Sequence, residues 1–420
     1  MYRKTILGNG IRVVTEHIPY VRSVTIGFWF RTGSRDEGAE NNGVSHFIEH
    51  MVFKGTTTRS AREIAETVDA AGGQLNAFTS KEHTCFYVRV LDGHLRLGVQ
   101  VLSDMLLNSR FDACEMDKEK GVVIEEIRMY EDCPDELVHD MLAGAVLADH
   151  PLGKGILGTE AIISDLDRDT LVSHMSKHYT AGNLVVAAAG NVTHEQVVAL
   201  VNEFLVDMEG DQTPVSTSNH PPAKAHSRVR TKDTEQVHLC LGGLGVGRHS
   251  EQRYALYVLD MALGGGMSSR LFQELREERG LVYATYSYHT LFQDTGLFSI
   301  YAGCGPANVP QVLELARAEC DRLVTYGFDA LELHRAKEQL KGSLVLSLES
   351  TANRMSRLAK GELFEEKVLT PDELIARIDA VTPSQVHSVA EKLLGNGSQV
   401  TVAIGPIEPS SVGIEDEVEG

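Results

Sequence analysis

Apolar residues recur with two different periods along the chain. They stand at positions 44, 47, 48, 51 and 52, a helical spacing that predicts a helix ending near Gly55. Residues 24–30 and 237–241 instead have the composition of strands. Strands come in pairs separated by helical runs, without regular alternation of strand and helix. This order predicts the α+β class with largely antiparallel sheets.

The two halves of the chain repeat one order of elements. Each half opens with a strand, continues with a helix and a glycine, and then has a pair of strands, at residues 75–90 and again at 283–301. Each half also ends on a helix followed by a strand. These closing segments are residues 165–179 and 183–189 in the first half, and 383–394 and 399–404 in the second. We therefore expect two homologous domains.

Chain length supports the same division. A chain of 420 residues with 42% hydrophobic residues is too long for one ordinary core. Residues 211–224 are rich in turn formers and contain no apolar run, so they form the best linker. The predicted domains are residues 1–210 and 225–420.

His46, Glu49 and His50 form a His-x-x-Glu-His pattern within the first predicted helix. The two histidines are four positions apart, so both imidazoles lie on one helix face and can bind one metal ion. Zinc favours imidazole nitrogen, and a neighbouring carboxylate such as Glu49 can act as general base. The order is that of the inverzincin signature. The alternative is a chance grouping on a solvated helix face, and a third ligand is needed to decide.

Residues 115–131 offer that third ligand. They have the apolar spacing of a helix and include five glutamates, of which Glu119 and Glu126 lie seven positions apart and share a face. An acidic helix that faces water is the alternative interpretation. Spacing alone does not choose among these acids.

Residues 46–56, with Glu126 standing 76 positions after His50, resemble the pitrilysin (M16) metallopeptidases, particularly the mitochondrial processing peptidase beta subunit and its bacterial relatives. The resemblance extends over nearly the whole chain. It implies that Glu126 is the third ligand of one Zn²⁺ ion per chain, that Glu119 supports the site, and that residues 1–210 form the zinc-binding catalytic domain. It also implies two domains that face each other around a substrate chamber.

A second matching stretch is residues 72–84. Its glycine pair closes a helix predicted for residues 60–71, and the following residues have the composition of a strand, which could be a plain sheet strand. In the pitrilysin relatives the matching strand is an edge that pairs with extended substrate through backbone hydrogen bonds. The resemblance thus implies substrate-binding roles for Asn76, Ala77, Phe78, Thr79 and Glu82.

A third matching stretch is residues 264–283. Its glycine-rich loop lacks the Gly-Lys-Ser/Thr ending of a phosphate-binding loop, so that interpretation is weak. The resemblance implies that Arg276 and Tyr283 hold substrate and stabilise the oxyanion, for which a cation and a phenol are suitable donors. A surface arginine and a packed tyrosine are the alternative. The helix expected at residues 254–263 has no His-x-x-Glu-His, so one half should bind metal and the other should contribute to substrate binding.

These features predict a zinc-dependent endopeptidase of the processing-peptidase type, which cleaves peptides or unfolded, presequence-like segments bound as an extended strand. The alternative is a non-catalytic family member that acts as a structural subunit or a peptide-binding partner. Such members typically have a damaged zinc motif, whereas every ligand position is filled here. Since the zinc ligands and the Arg276 and Tyr283 pair occur in one chain, we expect a monomer or a homodimer.

The net charge of −20 excludes nucleic acid as a partner class and disfavours an anionic membrane surface. It favours basic peptides as substrates, although acidity can also serve solubility alone. Six cysteines without Cys-x-x-Cys spacing indicate reduced thiols. Neither a targeting peptide nor an apolar run of about 18 residues is found. We expect a cytoplasmic protein, or a mitochondrial-matrix protein if a presequence was removed.

Overall fold

The computed structural model describes residues 2–148, 150–211, 226–365, 367–395 and 399–413. This part of the chain forms eleven strands and fourteen α-helices. The strands are β1 (Tyr2–Ile6), β2 (Arg12–His17), β3 (Ser23–Phe30), β4 (Gln74–Thr79), β5 (Thr84–Leu91), β6 (Leu184–Gly190), β7 (Arg228–Thr231), β8 (Val237–Leu244), β9 (Val282–Leu291), β10 (Gly296–Cys304) and β11 (Val400–Gly405). The helices are α1 (Val44–Met51), α2 (Ala61–Ala70), α3 (Leu95–Asn108), α4 (Ala113–Glu131), α5 (Pro134–Val146), α6 (Glu160–Asp165), α7 (Arg168–His178), α8 (His194–Leu205), α9 (Arg253–Leu263), α10 (Val309–Tyr326), α11 (Ala330–Ser347), α12 (Thr351–Phe364), α13 (Pro371–Asp379) and α14 (Pro383–Leu394).

The described residues divide into two compact units. The first unit takes in those within Met1–Arg128, Lys154–Ser216 and Leu346–Thr370. The second takes in those within Met129–Gly153, Thr217–Val345 and Pro371–Gly420. Each predicted half of the chain therefore supplies most of one unit and a short segment of the other. The predicted linker at 211–224 lies outside the described residues beyond Asp211.

Each unit has one largely antiparallel sheet, which confirms the predicted fold class. The first sheet has the order β1-β2-β6-β3-β5-β4, and its β2–β6 pair is parallel. The second sheet has the order β7-β11-β8-β10-β9, and its β7–β11 pair is parallel. Without β1, the first sheet has the order β2-β6-β3-β5-β4, which corresponds strand by strand to the order of the second sheet. The first two strands form the parallel pair in both. The predicted repeat of one structural plan is therefore confirmed.

Both faces of the first sheet are apolar and covered. On one face Ile26 and Phe28 join the large core that includes α1, α2 and α3. On the other face Trp29 packs against α12 through Met355 and Leu358. Strand β3 is buried along almost all of its length for this reason. Helix α12, which packs on this second face, comes from the later half of the chain.

The second sheet is covered in the same way. One face packs on α9, α10 and α14 in the core of the second unit. On the opposite face Cys240 and Val402 pack against Val138 and Leu142 of α5, which comes from the earlier half of the chain. The halves thus exchange one helix each, because each sheet has a second apolar face that must be removed from water. None of the helices in the described ranges is long and apolar enough to cross a membrane.

Candidate metal centre

Helix α1 carries the His-x-x-Glu-His pattern. Its apolar residues at positions 44, 47, 48 and 51 are buried in the core of the first unit, as their helical spacing predicts. This packing holds the helix in place and leaves Glu49 and His50 partly exposed, with His46 beside them at 8% exposure. The predicted helix is confirmed, although its regular part ends at Met51 rather than near Gly55.

The start of α1 is held by a residue that was not predicted from the sequence. The helix begins after Gly43, which has a left-handed φ of +98° and no side chain to cap the helix. The carboxylate of Glu37 accepts from the Gly43 N–H at 2.7 Å and from the Ser45 N–H at 2.8 Å. Burial raises the pKa of Glu37. The sequence contained one indication of such a cap: a glycine, which has no capping side chain, stands directly before the helix.

The three predicted metal ligands lie together in the first unit. Glu126 of α4 has one carboxylate oxygen 3.7 Å from His46 Nε2 and the other 3.4 Å from His50 Nε2. Taking one potential ligand atom from each of the three residues, all three atoms lie within 4.8 Å of one another. In the described ranges, this is the one group of three or more histidines, cysteines or acids whose side chains lie close enough together to hold a metal ion.

Glu119 lies on the same face of α4 and contacts His50 from the other side of the ring. Its Oε1 is 2.8 Å from His50 Nδ1, and its Oε2 is 2.6 Å from Lys54 Nζ. Burial opposes ionisation of Glu119, but the hydrogen bonds from His50 and Lys54 outweigh it and lower its pKa. An anionic Glu119 must accept, so Nδ1 of His50 carries a proton and Nε2 remains for a metal ion.

The electrostatics of the group favour a bound cation. Burial and the charge of His50 lower the pKa of His46 to about 4. Burial acts against protonation of His50 as well, but hydrogen bonds with Glu119 and Glu126 outweigh it and raise its pKa to about 9. The hydrogen bond from His50 lowers the pKa of Glu126. At neutral pH, in the absence of metal, His46 is therefore neutral, Glu119 and Glu126 are carboxylates, and His50 is protonated. A metal ion can displace the extra proton of His50.

Glu49 contacts the first sheet through Thr79. The Thr79 hydroxyl donates to Glu49 Oε2 at 2.6 Å. Burial raises the pKa of Glu49, although the hydrogen bonds from Thr79 act in the opposite direction. A carboxylate with a raised pKa beside two metal ligands can take up and return a proton.

Among the residues that the structure describes, strand β4 is the last strand of its sheet and pairs with β5 alone, so its other edge is free. In the hairpin that follows β4, the Ser80 N–H donates to the His83 carbonyl at 2.9 Å. Because antiparallel pairs alternate in their hydrogen bonding, the backbone groups of Ala77 and Thr79 then point to the free side. The Ala77 N–H donates a hydrogen bond to Asn76 Oδ1 at 2.8 Å.

Two predicted substrate-binding side chains point elsewhere, and the prediction for them is corrected. Successive side chains alternate across a strand, so Phe78 points away from the face of Ala77 and Thr79. Its ring packs on Trp29, with ring centroids 5.4 Å apart. Glu82 is buried after β4, where its carboxylate binds Arg35 at 2.7 Å. Phe78 thus belongs to the packing under α12, and Glu82 to a buried ion pair.

Arg276 and Tyr283 lie in the second unit, and the structure brings these two residues together. Arg276 is in a π-helical turn, Phe272–Glu277, a rare conformation that is frequent at functional sites. Its guanidinium lies 4.8 Å from the centre of the Phe272 ring and 5.7 Å from that of Tyr283. Tyr283 is on β9, the edge strand of the second sheet, and is 75% exposed.

Known proteins match this chain over nearly its full length. Residues 12–160 match the family model Insulinase (Peptidase family M16), and residues 165–340 match the model Peptidase M16 inactive domain. A Bacillus subtilis protein named uncharacterized zinc protease is 46% identical over 94% of this chain and 96% of its own length. A Streptomyces coelicolor protein with the same description is 45% identical over 97% of this chain and 90% of its own length.

Two solved structures share the fold. A crystal structure of a peptidase M16 inactive domain from Pseudomonas fluorescens superposes with a TM-score of 0.90 at 21% identity, covering 97% of this chain and 98% of that chain. A protease from Helicobacter pylori has a TM-score of 0.88 at 22% identity, covering 97% and 99%. The family models and the sequence relatives go further than this likeness of fold and show that the chain belongs to the M16 (insulinase) family of peptidases.

Proposed function

We propose that this protein is a zinc-dependent endopeptidase that cleaves peptides or unfolded segments bound as an extended strand. The observation that carries the proposal is the grouping of His46, His50 and Glu126, with Glu49 on the same helix as the two histidines. The naming of the Bacillus and Streptomyces relatives as zinc proteases supports the same activity.

The donor set fits zinc. Catalytic zinc sites commonly use three nitrogen or oxygen ligands from the protein and keep one position open. In the described ranges, no fourth histidine, cysteine or acid joins His46, His50 and Glu126, so the group does not form a closed structural site. When bound, zinc supplies Lewis-acid polarisation of a peptide carbonyl and lowers the pKa of a water molecule.

Glu49 is the proposed general base. It lies one position before His50, and burial raises its pKa toward the range in which a carboxylate can both accept and donate a proton. We propose that Glu49 takes the proton of the attacking water and passes it to the leaving amine. Thr79 holds its carboxylate on the side of the edge strand.

The free edge of β4 is the proposed binding strand for substrate. A peptide that adds to this edge would pair with the outward backbone groups of Ala77, after the Asn76 side chain releases the Ala77 N–H. Backbone pairing tolerates many side chains, which suits unfolded or presequence-like segments. The net charge of −20 favours basic peptides among them.

Further parts of the proposal rest on the resemblance and on composition. Arg276 and Tyr283 would hold substrate and stabilise the charge that develops on the attacked carbonyl. A monomer or homodimer in the cytoplasm is proposed, and the six free cysteines agree with a reducing compartment.

Cleavage mapping by mass spectrometry tests the proposed function. Wild-type protein, Glu49→Gln and Glu66→Gln are first shown to contain zinc and are then incubated with a mixed library of basic and acidic peptides. Glu66 is an exposed acid of α2 paired with Arg62, so its change is a matched control. We expect cleavage by wild type and Glu66→Gln but not by Glu49→Gln. Zinc-loaded wild type that cleaves nothing would instead favour a non-catalytic subunit or peptide-binding partner.

A further inference from the structure

Thr79 donates a side-chain hydrogen bond to the proposed general base. Its hydroxyl donates to Glu49 Oε2 at 2.6 Å. Across the described ranges, Glu49 receives side-chain hydrogen bonds from Thr79 alone. A glutamate side chain has three rotatable bonds, so an unsupported carboxylate would occupy several orientations. Thr79 is therefore the contact that selects one of them.

The position of Thr79 is itself held by the sheet. It is the last residue of β4 and pairs with Thr84, which is fully buried and donates its hydroxyl to the Thr32 carbonyl at 3.0 Å. Glu49, in contrast, is held by α1, which is anchored independently in the core. The hydrogen bond between Thr79 and Glu49 thus joins the helix of the metal site to the strand with the free edge.

The same strand carries the proposed peptide-binding position. Ala77 and Thr79 are two residues apart and point their backbone groups to the free side, so about 7 Å separates them along the edge. The Thr79 hydroxyl is already engaged by Glu49, so a peptide on this edge would pair with backbone groups such as those of Ala77, once the Asn76 side chain releases the Ala77 N–H. A peptide on this edge would therefore meet the base at the end of the strand.

We infer that Thr79 is a positioning residue for the reaction, which orients the Glu49 carboxylate and sets it in register with the peptide bound on β4. This inference rests on the proposed peptidase function and deepens it. It assigns the Thr79 side chain to the base rather than to the substrate. The hydroxyl should consequently affect turnover and not the binding of peptide or metal.

Three substitutions separate the hydroxyl from the shape of the residue. Thr79→Val keeps the branched shape and loses the hydroxyl, Thr79→Ala loses both, and Thr79→Ser keeps the hydroxyl alone. Thr67→Val removes a threonine hydroxyl on the exposed side of α2 and is the control for general effects. Zinc affinity is measured by competition with a chelator, and kcat and KM with a fluorogenic peptide. Peptide binding is measured by anisotropy in the Glu49→Gln background.

We expect Thr79→Val and Thr79→Ala to lower kcat by about 10- to 100-fold, because a misplaced base loses alignment with the attacking water. KM, zinc affinity and peptide binding should stay within about twofold, and Thr79→Ser should retain kcat within about threefold, since its hydroxyl can still orient the base. Thr67→Val should match wild type.

Each other outcome has a defined meaning. Wild-type cleavage with an unchanged kcat in Thr79→Val or Thr79→Ala would overturn this inference and leave the proposed function standing. A loss of kcat in Thr79→Ser equal to that in Thr79→Val would also overturn it, because packing of the methyl group would then be the cause. Absence of cleavage by zinc-loaded wild type would refute the proposed function and this inference with it.

Discussion

His50 Nδ1 and Glu119 Oε1 form a hydrogen bond of 2.8 Å on the side of the imidazole that faces away from Glu126. Glu119 is 3% exposed and its other oxygen binds Lys54. A carboxylate placed in this way behind a metal-binding histidine fixes the tautomer and the orientation of the ring. The sequence placed Glu119 on the same helix face as Glu126, and the structure shows that it contacts the predicted ligand His50.

Glu119→Gln is expected to lower zinc affinity by about 10- to 100-fold, the usual effect of removing such a supporting carboxylate. The glutamine amide cannot provide the negative charge that holds His50 and Lys54 together. Competition with a chelator of known affinity measures the change. Glu115→Gln is the control, because Glu115 is on the same helix and pairs with Lys118 at the surface. Equal affinity in Glu119→Gln and wild type would contradict the assigned role.

Zinc binding is expected to release a proton. The pKa of His50 is about 9 without metal, so at pH 7 to 8 its Nε2 carries a proton that the ion must displace. Affinity should therefore fall about tenfold for each pH unit below 9. His46, with a pKa of about 4, stays neutral over this range and adds nothing to the slope. Titration calorimetry in buffers of different ionisation enthalpy measures the proton release, and a pH-independent affinity would contradict this assignment.

Glu37→Gln is expected to destabilise the protein by about 1 to 2 kcal/mol, as for the loss of a helix cap. The one carbonyl oxygen of glutamine cannot replace two carboxylate oxygens that accept from Gly43 and Ser45. Urea denaturation measures the change. Glu40→Gln alters a nearby exposed acid and should have no comparable effect. A Glu37→Gln protein as stable as wild type would show that the cap at α1 contributes little.

Leu358→Ala is expected to cost about 2 to 5 kcal/mol, the range for a buried leucine. Leu358 is fully buried on α12, where it covers the face of the first sheet that carries Trp29. Thermal or urea unfolding measures the loss. Lys360→Ala changes an exposed position of the same helix and is the control. An equal effect of both substitutions would mean that α12 does not stabilise the first sheet through this face.

Several parts of the fold and of the site were predictable because they depend on neighbours along the chain. The helical period of α1 and the spacing of four between His46 and His50 are local properties, and they place both imidazoles together whatever surrounds them. The apolar strands and the repeat of their order likewise predicted two matching sheets. Glu126 was identified through the resemblance, since the period of α4 alone left several acids open.

Other features depend on residues far apart in the chain, and no local period encodes them. The cap from Glu37, the bond between Thr79 and Glu49, and the burial of Glu82 against Arg35 each require two segments to be packed before the partners meet.

The sequence by itself determined the elements of this protein, their repeat and the donor types of the metal centre, because periodicity and residue chemistry are carried by each segment alone. The tertiary structure decided that Glu119 contacts His50 and which helix covers each sheet. In particular, α5 and α12 each pack on the sheet of the other half of the chain. The physical reason is that burying a sheet on both faces selects any apolar helix that fits, regardless of its place in the sequence.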